Sequence, residues 1–288
     1  MKKCITYTTA IVVLLAFAMP LTAADKYRIL VSNDDGIHSA GIAALVTALS
    51  PLGDVTVVAP LVNRSGASHS IDAIGKRIRM EKVYRDDVFF GYAVQATPAD
   101  AVGMGIRLLG REQPFDLVVS GINYGNNAGI GSHYSGTVGA AIEAAIHGVP
   151  AIAISQASAR ATDYALSARV AANLAAEVLQ RGLSPGVVLN VNVPVEPVKG
   201  VEITSMGDTV FAVSGPERHI DRSGAPYYKL TLKQRSGLDE TGTDGAAYLD
   251  GFITIMPLQI QWTDTATIEQ LRSWQLSSRL LRSKPASR

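Results

Sequence analysis

Two neighbouring carboxylates, Asp34 and Asp35, stand between the apolar stretch RILVS (28–32) and Gly36. Close carboxylates repel, and one of an uncompensated pair is pushed toward its neutral acid. A divalent cation ligated by both removes the conflict. Oxygen donors without thiolate suit a hard ion such as Mg2+, Mn2+ or Ca2+. Gly36 would let the backbone turn sharply beside it. The competing reading is a solvated turn in which Asp35 or Ser39 caps the next helix. A strand ending in D-x-D-G would suggest an aspartyl-phosphate nucleophile. Here Asn33 holds the first place and the carboxylates are adjacent, which favours an activated water over a covalent aspartate.

A second candidate is the loop GINYGNNAGIGSHYSG (121–136), which runs into TVGAAIEAAIHG. Backbone N–H groups at such a loop-to-helix junction cradle phosphate. Gly131, Gly136 and Thr137 approach the spacing of a nucleoside-triphosphate loop, but the lysine before the threonine is missing. Tyr134 occupies the third-glycine place of a dinucleotide pattern begun by Gly129 and Gly131. His133 and Thr137 flank Ser135 where a nucleophile elbow needs glycines. What is left is a phosphate site without triphosphate machinery, or a conformationally demanding loop with no ligand. His38, His69 and His133 fall in the candidate loops and could assist proton transfer or orient phosphate. His147, just before Gly148, reads as a helix end-cap, and His219 lies in a β-rich region.

These loops need a scaffold. RILVS reads as a buried strand, AGIAALVTALS (40–50) as a helix and DVTVVA (54–59) as a second strand, so the chain opens with a parallel βαβ unit. VFFGYAVQA (88–96) and the short apolar DLVVS (116–120) are further strands. Thr97, Pro98 and Asp100 have the chemistry of a helix start. PAIAIS (150–155) reads as a strand, 161–181 as a helix and VVLNVNVP (187–194) as a strand. Loops 33–39, 60–70 and 121–136 each leave a parallel strand at its carboxyl end, so they converge on the sheet edge where ligands bind. The expected architecture is α/β: a doubly wound, Rossmann-like parallel sheet over 25–195. A β-rich extension covers 196–288, with half-exposed strands VEITSM, PYYKLTLKQ and GFITIMP and a closing helix in DTATIEQLRSWQL.

Hydrophobic residues make up 47% of the 288 and charged residues 18%, enough apolar material for a sizeable core. The formal charge of +1 without a basic run gives no support to binding a nucleic-acid polymer. Residues 1–24 show a basic start at Lys2 and Lys3, an apolar stretch and small residues up to Ala24, the layout of a secretory signal peptide. An uncleaved anchor is the competing reading. With cleavage the protein is expected to be periplasmic or secreted and free of the membrane; with a non-functional signal it is cytoplasmic. Cys4 is the only cysteine, which excludes disulfides, thiolate sites and a cysteine nucleophile from the mature chain.

Taken together, ILVSNDDGI, VVAPLVNRSGASHSI, ATPADAV, DLVVSGINYGNN and YSGTVGAAIEAAIHGVPAIAIS, then LNVNVP and GFITIMPL, resemble the SurE family of survival nucleotidases over roughly residues 27–260. The resemblance implies a metal-dependent phosphohydrolase acting on nucleoside 5′-monophosphates, and often 3′-monophosphates. It implies one divalent cation on Asp34, Asp35, Ser65 and Asn123, and phosphate contacts from Asn127, Ser135, Gly136 and Thr137. Asp34, Asn123 and Ser135 are expected to carry the reaction. It also implies a homodimer or homotetramer in which a β-hairpin and the C-terminal segment are exchanged, here the part after Pro194. A signal peptide is a departure for a family known mainly from the cytoplasm, and 205–250 matches least. Two other classes compete: a metal-independent esterase using Ser135 with His133, and a non-catalytic nucleotide-binding module. Neither needs the paired carboxylates.

Overall fold

In the computed structural model of the protein, residues 26–158, 163–238, 240–274 and Leu276 are described, so the signal-like segment lies outside them. β1 (Tyr27–Ser32) passes from an exposed first residue to full burial from Ile29 onward. Its apolar run suits a strand covered on both faces. Alternate side chains serve opposite faces: Ile29 and Val31 join one apolar cluster and Leu30 the other. α1 (Ala40–Leu49) starts at Ser39, whose Oγ accepts from the Ile42 N–H, and leads to β2 (Gly53–Pro60), parallel to β1.

β3 (Met80–Arg85) and β4 (Val88–Val94) follow, antiparallel to each other. α2 (Pro98–Met104) opens with a reciprocal capping box between Thr97 and Asp100, as the sequence indicates, and continues into a π-helical turn at Gly105–Leu109. β5 (Leu117–Tyr124), α3 (Gly136–Ile146), β6 (Ala151–Gln156), α4 (Ala165–Arg181) and β7 (Val187–Val193) complete the wound core. The later elements are β8 (Val201–Ile203), β9 (Phe211–Ile220), β10 (Pro226–Gln234), α5 (Asp244–Leu249), β11 (Ile253–Gln259) and α6 (Thr265–Ser273). Among the described residues no helix is long and apolar enough to cross a membrane.

The main sheet has nine strands in the order β3-β4-β2-β1-β5-β6-β7-β11-β8. β4, β2, β1, β5, β6 and β7 are all parallel. β1 has β2 on one side and β5 on the other, so the crossovers diverge there and leave a crevice beyond the strands' carboxyl ends. α1 packs with α4 and α2 with α3.

Five features differ from the sequence reading. β5 continues to Tyr124, which puts Asn123 in a strand rather than a loop. α4 begins at Ala165, without a side-chain cap. β3, β9 and α5 have no counterpart in the sequence reading. The sheet also continues past residue 195, because β11 pairs antiparallel with β7 and parallel with β8. β9 and β10 form a separate hairpin, and every residue of β10 is exposed rather than half-exposed.

Candidate active site

Three loops meet at the carboxyl end of β1, and the paired aspartates are the point where they join. Asn33 shapes the turn that presents them: its Nδ2 donates to the Gly36 carbonyl at 3.0 Å and to Ser39 Oγ at 2.8 Å, while its Oδ1 accepts from Gly36 N at 3.2 Å. The Asp34 carbonyl accepts from Arg64 N at 2.7 Å, and Asp34 Oδ1 accepts from the Thr137 hydroxyl. Asp35 Oδ2 accepts from Tyr124 N at 3.0 Å and its Oδ1 from Asn63 Nδ2 at 3.4 Å. The first loop is thus bonded to the second and third.

The electrostatics are those of an unneutralised pair. Asp34 is only 3% exposed. Burial, with the Asp35 charge adding to it and the Thr137 hydroxyl opposing it, pushes its carboxyl up to about 6. Burial also raises Asp35, against the Tyr124 N–H. Among the described residues no ion pair reaches either carboxylate.

A β-bulge brings Asn123 into this corner. Ser120 pairs with Ala153 and Asn123 with Ser155, so β5 carries one more residue than β6 between these points. Gly121 makes the bulge possible. Its φ is +138°, and a Cβ there would lie 2.3 Å from the Ile154 carbonyl oxygen. Asn123 Nδ2 donates to the Gly125 carbonyl at 2.7 Å, which identifies the remaining side-chain atom, Oδ1, as its acceptor.

α3 starts at the same corner. Ser135 is its N-cap, with Oγ accepting from Val138 N at 3.1 Å. Gly136 sits against the first carboxylate: a Cβ there would fall 2.8 Å from Asp34 Cβ and 2.9 Å from its Oδ2. The helix N-terminus therefore abuts Asp34, whose carboxylate accepts from the Thr137 backbone N–H.

A family model described as "Survival protein SurE" matches residues 29–212. The chain belongs to the SurE family. It is 37% identical over 260 residues to "5'-nucleotidase SurE" of Chlorobaculum tepidum, covering 89% of this chain and 98% of the relative. It is 40% identical over 252 residues to "5'-nucleotidase SurE" of Syntrophobacter fumaroxidans, covering 86% and 100%. Among solved structures, the SurE protein from Aquifex aeolicus superposes with a TM-score of 0.74 at 36% identity, over 86% of this chain and 99% of that one.

Of the positions suggested by the SurE resemblance, Asp34, Asp35, Asn123, Ser135, Gly136 and Thr137 share the corner just described. Ser65 is on the exposed second loop, its N–H donating to Asn63 Oδ1 at 2.9 Å, one residue from the Arg64–Asp34 bond. Asn127 holds the third loop to the sheet: its Nδ2 donates to Ser155 Oγ at 2.7 Å and its N–H to Asn192 Oδ1 at 2.7 Å. Its carbonyl accepts from Asn190 Nδ2 at 2.9 Å. His38 is exposed, and His147 is the C-cap of α3. His69 Nε2 lies 2.9 Å from Glu143 Oε2. Among the described residues no hydrogen bond joins His133 to Ser135, whose hydroxyl serves as the helix cap.

Sequence reasoning did not single out Asn190, Asn192 and Asp244. The two asparagines alternate in a strand that is otherwise apolar, and that pattern was the available signal. Asp244 is fully buried and accepts from Gly129 N at 2.7 Å, Gly207 N at 3.1 Å and Gly245 N at 2.9 Å. It ties the third loop to the segment after β8, and nothing local in the sequence marks it.

Proposed function

We propose that the protein is a metal-dependent 5′-nucleotidase that hydrolyses nucleoside monophosphates at the junction of the Asp34–Asp35 turn and the α3 N-terminus. One observation carries the reading: buried Asp34 and half-buried Asp35, with no ion pair to either among the described residues, abut a helix end suited to an anion. Two negative groups facing a third require a positive one between them. The donor set of two carboxylates, the Ser65 hydroxyl and the Asn123 carboxamide oxygen is all oxygen, which fits Mg2+, Mn2+ or Ca2+. When bound there, a divalent cation neutralises phosphate charge and lowers the pKa of water.

The chain's own groups do the rest. The Gly136 N–H at the start of α3 and the Ser135 hydroxyl hold the phosphoryl oxygens and stabilise the charge spread over them, while Thr137 gives its O–H to Asp34. Each such preorganised contact is worth on the order of 2–4 kcal/mol. Thr137 fixes Asp34 through Oδ1, and Asp34 takes the proton of the attacking water at Oδ2.

Hydrolysis of 3′-monophosphates is part of the proposal. So are export directed by residues 1–24 and assembly through the β9–β10 hairpin. The basic-apolar-small layout of the leader supports the second. The exposure of Val213, Leu230 and Leu232 at 63%, 67% and 66% supports the third. A phosphate-release screen over 5′- and 3′-nucleoside mono-, di- and triphosphates tests the activity. We expect strongest release from monophosphates; no release from any of them would overturn it.

A further inference from the structure

A pocket of about 290 Å3 opens along the flank of α3, and Ser135 belongs to its lining. Val138 and Ile142 form the helix wall. Leu258 of β11 and Trp262 just beyond it contribute to the lining from the C-terminal part. Ser135, Val138, Gly139 and Ile142 share one face of the helix by their spacing. That face is distinct from Gly136 and Thr137, which meet Asp34. From Ser135 to Ile142 the helix rises roughly 10 Å at 1.5 Å per residue. A ligand whose phosphate sits at the Ser135 end of the helix can lay its organic group along this flank.

The pocket's chemistry is selective. Its walls are largely apolar with a few polar groups, the usual makeup of a small-molecule site. Trp262 is 73% exposed. His69, also in the lining, is held through Nε2 by the buried Glu143 carboxylate at 2.9 Å, so its other ring nitrogen is fixed in place for a second hydrogen bond. Gln259 adds a side chain that both donates and accepts. An aromatic face suits a π-stacked ring, and the fixed polar groups suit a ring with hydrogen-bonding edges.

We infer that this pocket takes the nucleobase of the substrate, with Trp262 as the stacking surface and His69 and Gln259 reading the base edge. The inference rests on the nucleotidase reading and says which part of the molecule sets its preference. Ribose 5-phosphate, which lacks the base, is the comparison substrate. The test measures kcat and KM for AMP and for ribose 5-phosphate with wild type, Trp262→Ala and Trp262→Phe. Trp262→Ala should reduce the preference for AMP over ribose 5-phosphate about tenfold, mainly through KM, and Trp262→Phe should restore most of it. Equal losses on both substrates, or an unchanged preference, would overturn the assignment. A wild type that cleaves both equally well would also overturn it while leaving phosphatase activity standing. A wild type that releases phosphate from neither would refute the nucleotidase reading, and this one with it.

Discussion

At the scale of single residues, Asp34 concentrates a conflict between stability and activity. Its folded-state proton affinity near 6 lies above the ordinary carboxylate value of 3.8. As pH rises through this window, the unfolded chain gives up its proton before the folded protein does. Metal-free stability therefore falls, by about 3 kcal/mol once pH passes 6. Asp34→Asn removes the buried charge and keeps an oxygen for Thr137. It should raise the melting temperature of the chelated protein at pH 7 while reducing turnover by roughly a hundredfold or more. A variant that melts lower and keeps its activity would contradict both roles. Gly136→Ala forces a methyl onto Asp34 and should cost about 1–3 kcal/mol in denaturant unfolding along with activity. Ser135, Gly136 and Thr137 were singled out only through the SurE resemblance, whereas the aspartate pair was legible because adjacent charges at a strand end demand an explanation. The partners Asn190, Asn192 and Asp244 were not, because a buried polar residue declares its bond only when the fold supplies the other half.

At the scale of elements, the site depends on a bulged strand and on a loop seated on the C-terminal segment. β1, α1 and β2 were readable from periodicity, and α2 from its Thr-Pro-Ala-Asp start. The last turn of β5 was not, since Gly-Ile-Asn-Tyr has the composition of a loop and becomes strand only by pairing with β6. The seating of the third loop is testable. Asp244→Asn replaces one acceptor oxygen by a donor and breaks part of the three-way bond to Gly129, Gly207 and Gly245. An unmet buried group of this kind costs about 1–3 kcal/mol. The loss should appear as a higher KM for nucleotide and faster amide exchange at Gly129 and Ile130. Exchange unchanged at these amides would show that the loop is held without it.

At the scale of the whole molecule, the β9–β10 hairpin stands outside the nine-stranded sheet with most of its side chains exposed. An unpaired hairpin of this kind is marginal in water, so a second copy of the chain is its expected cover. Replacing Leu230 and Leu232 together by Asp should shift the protein to monomer in sedimentation velocity; an unchanged species would exclude the hairpin as the contact. That strands lay after residue 195 was legible from their alternation. That two of them would extend the core sheet was not, because register between distant segments is decided by pairing rather than by local pattern. The central claim is that a divalent cation between the Asp34–Asp35 pair and the substrate makes this corner catalytic. The direct measurement is phosphate release from AMP by chelator-treated protein as Mn2+ is titrated back. The account predicts negligible release without metal and saturable recovery that Asp34→Asn abolishes, whereas full turnover in excess chelator would contradict it.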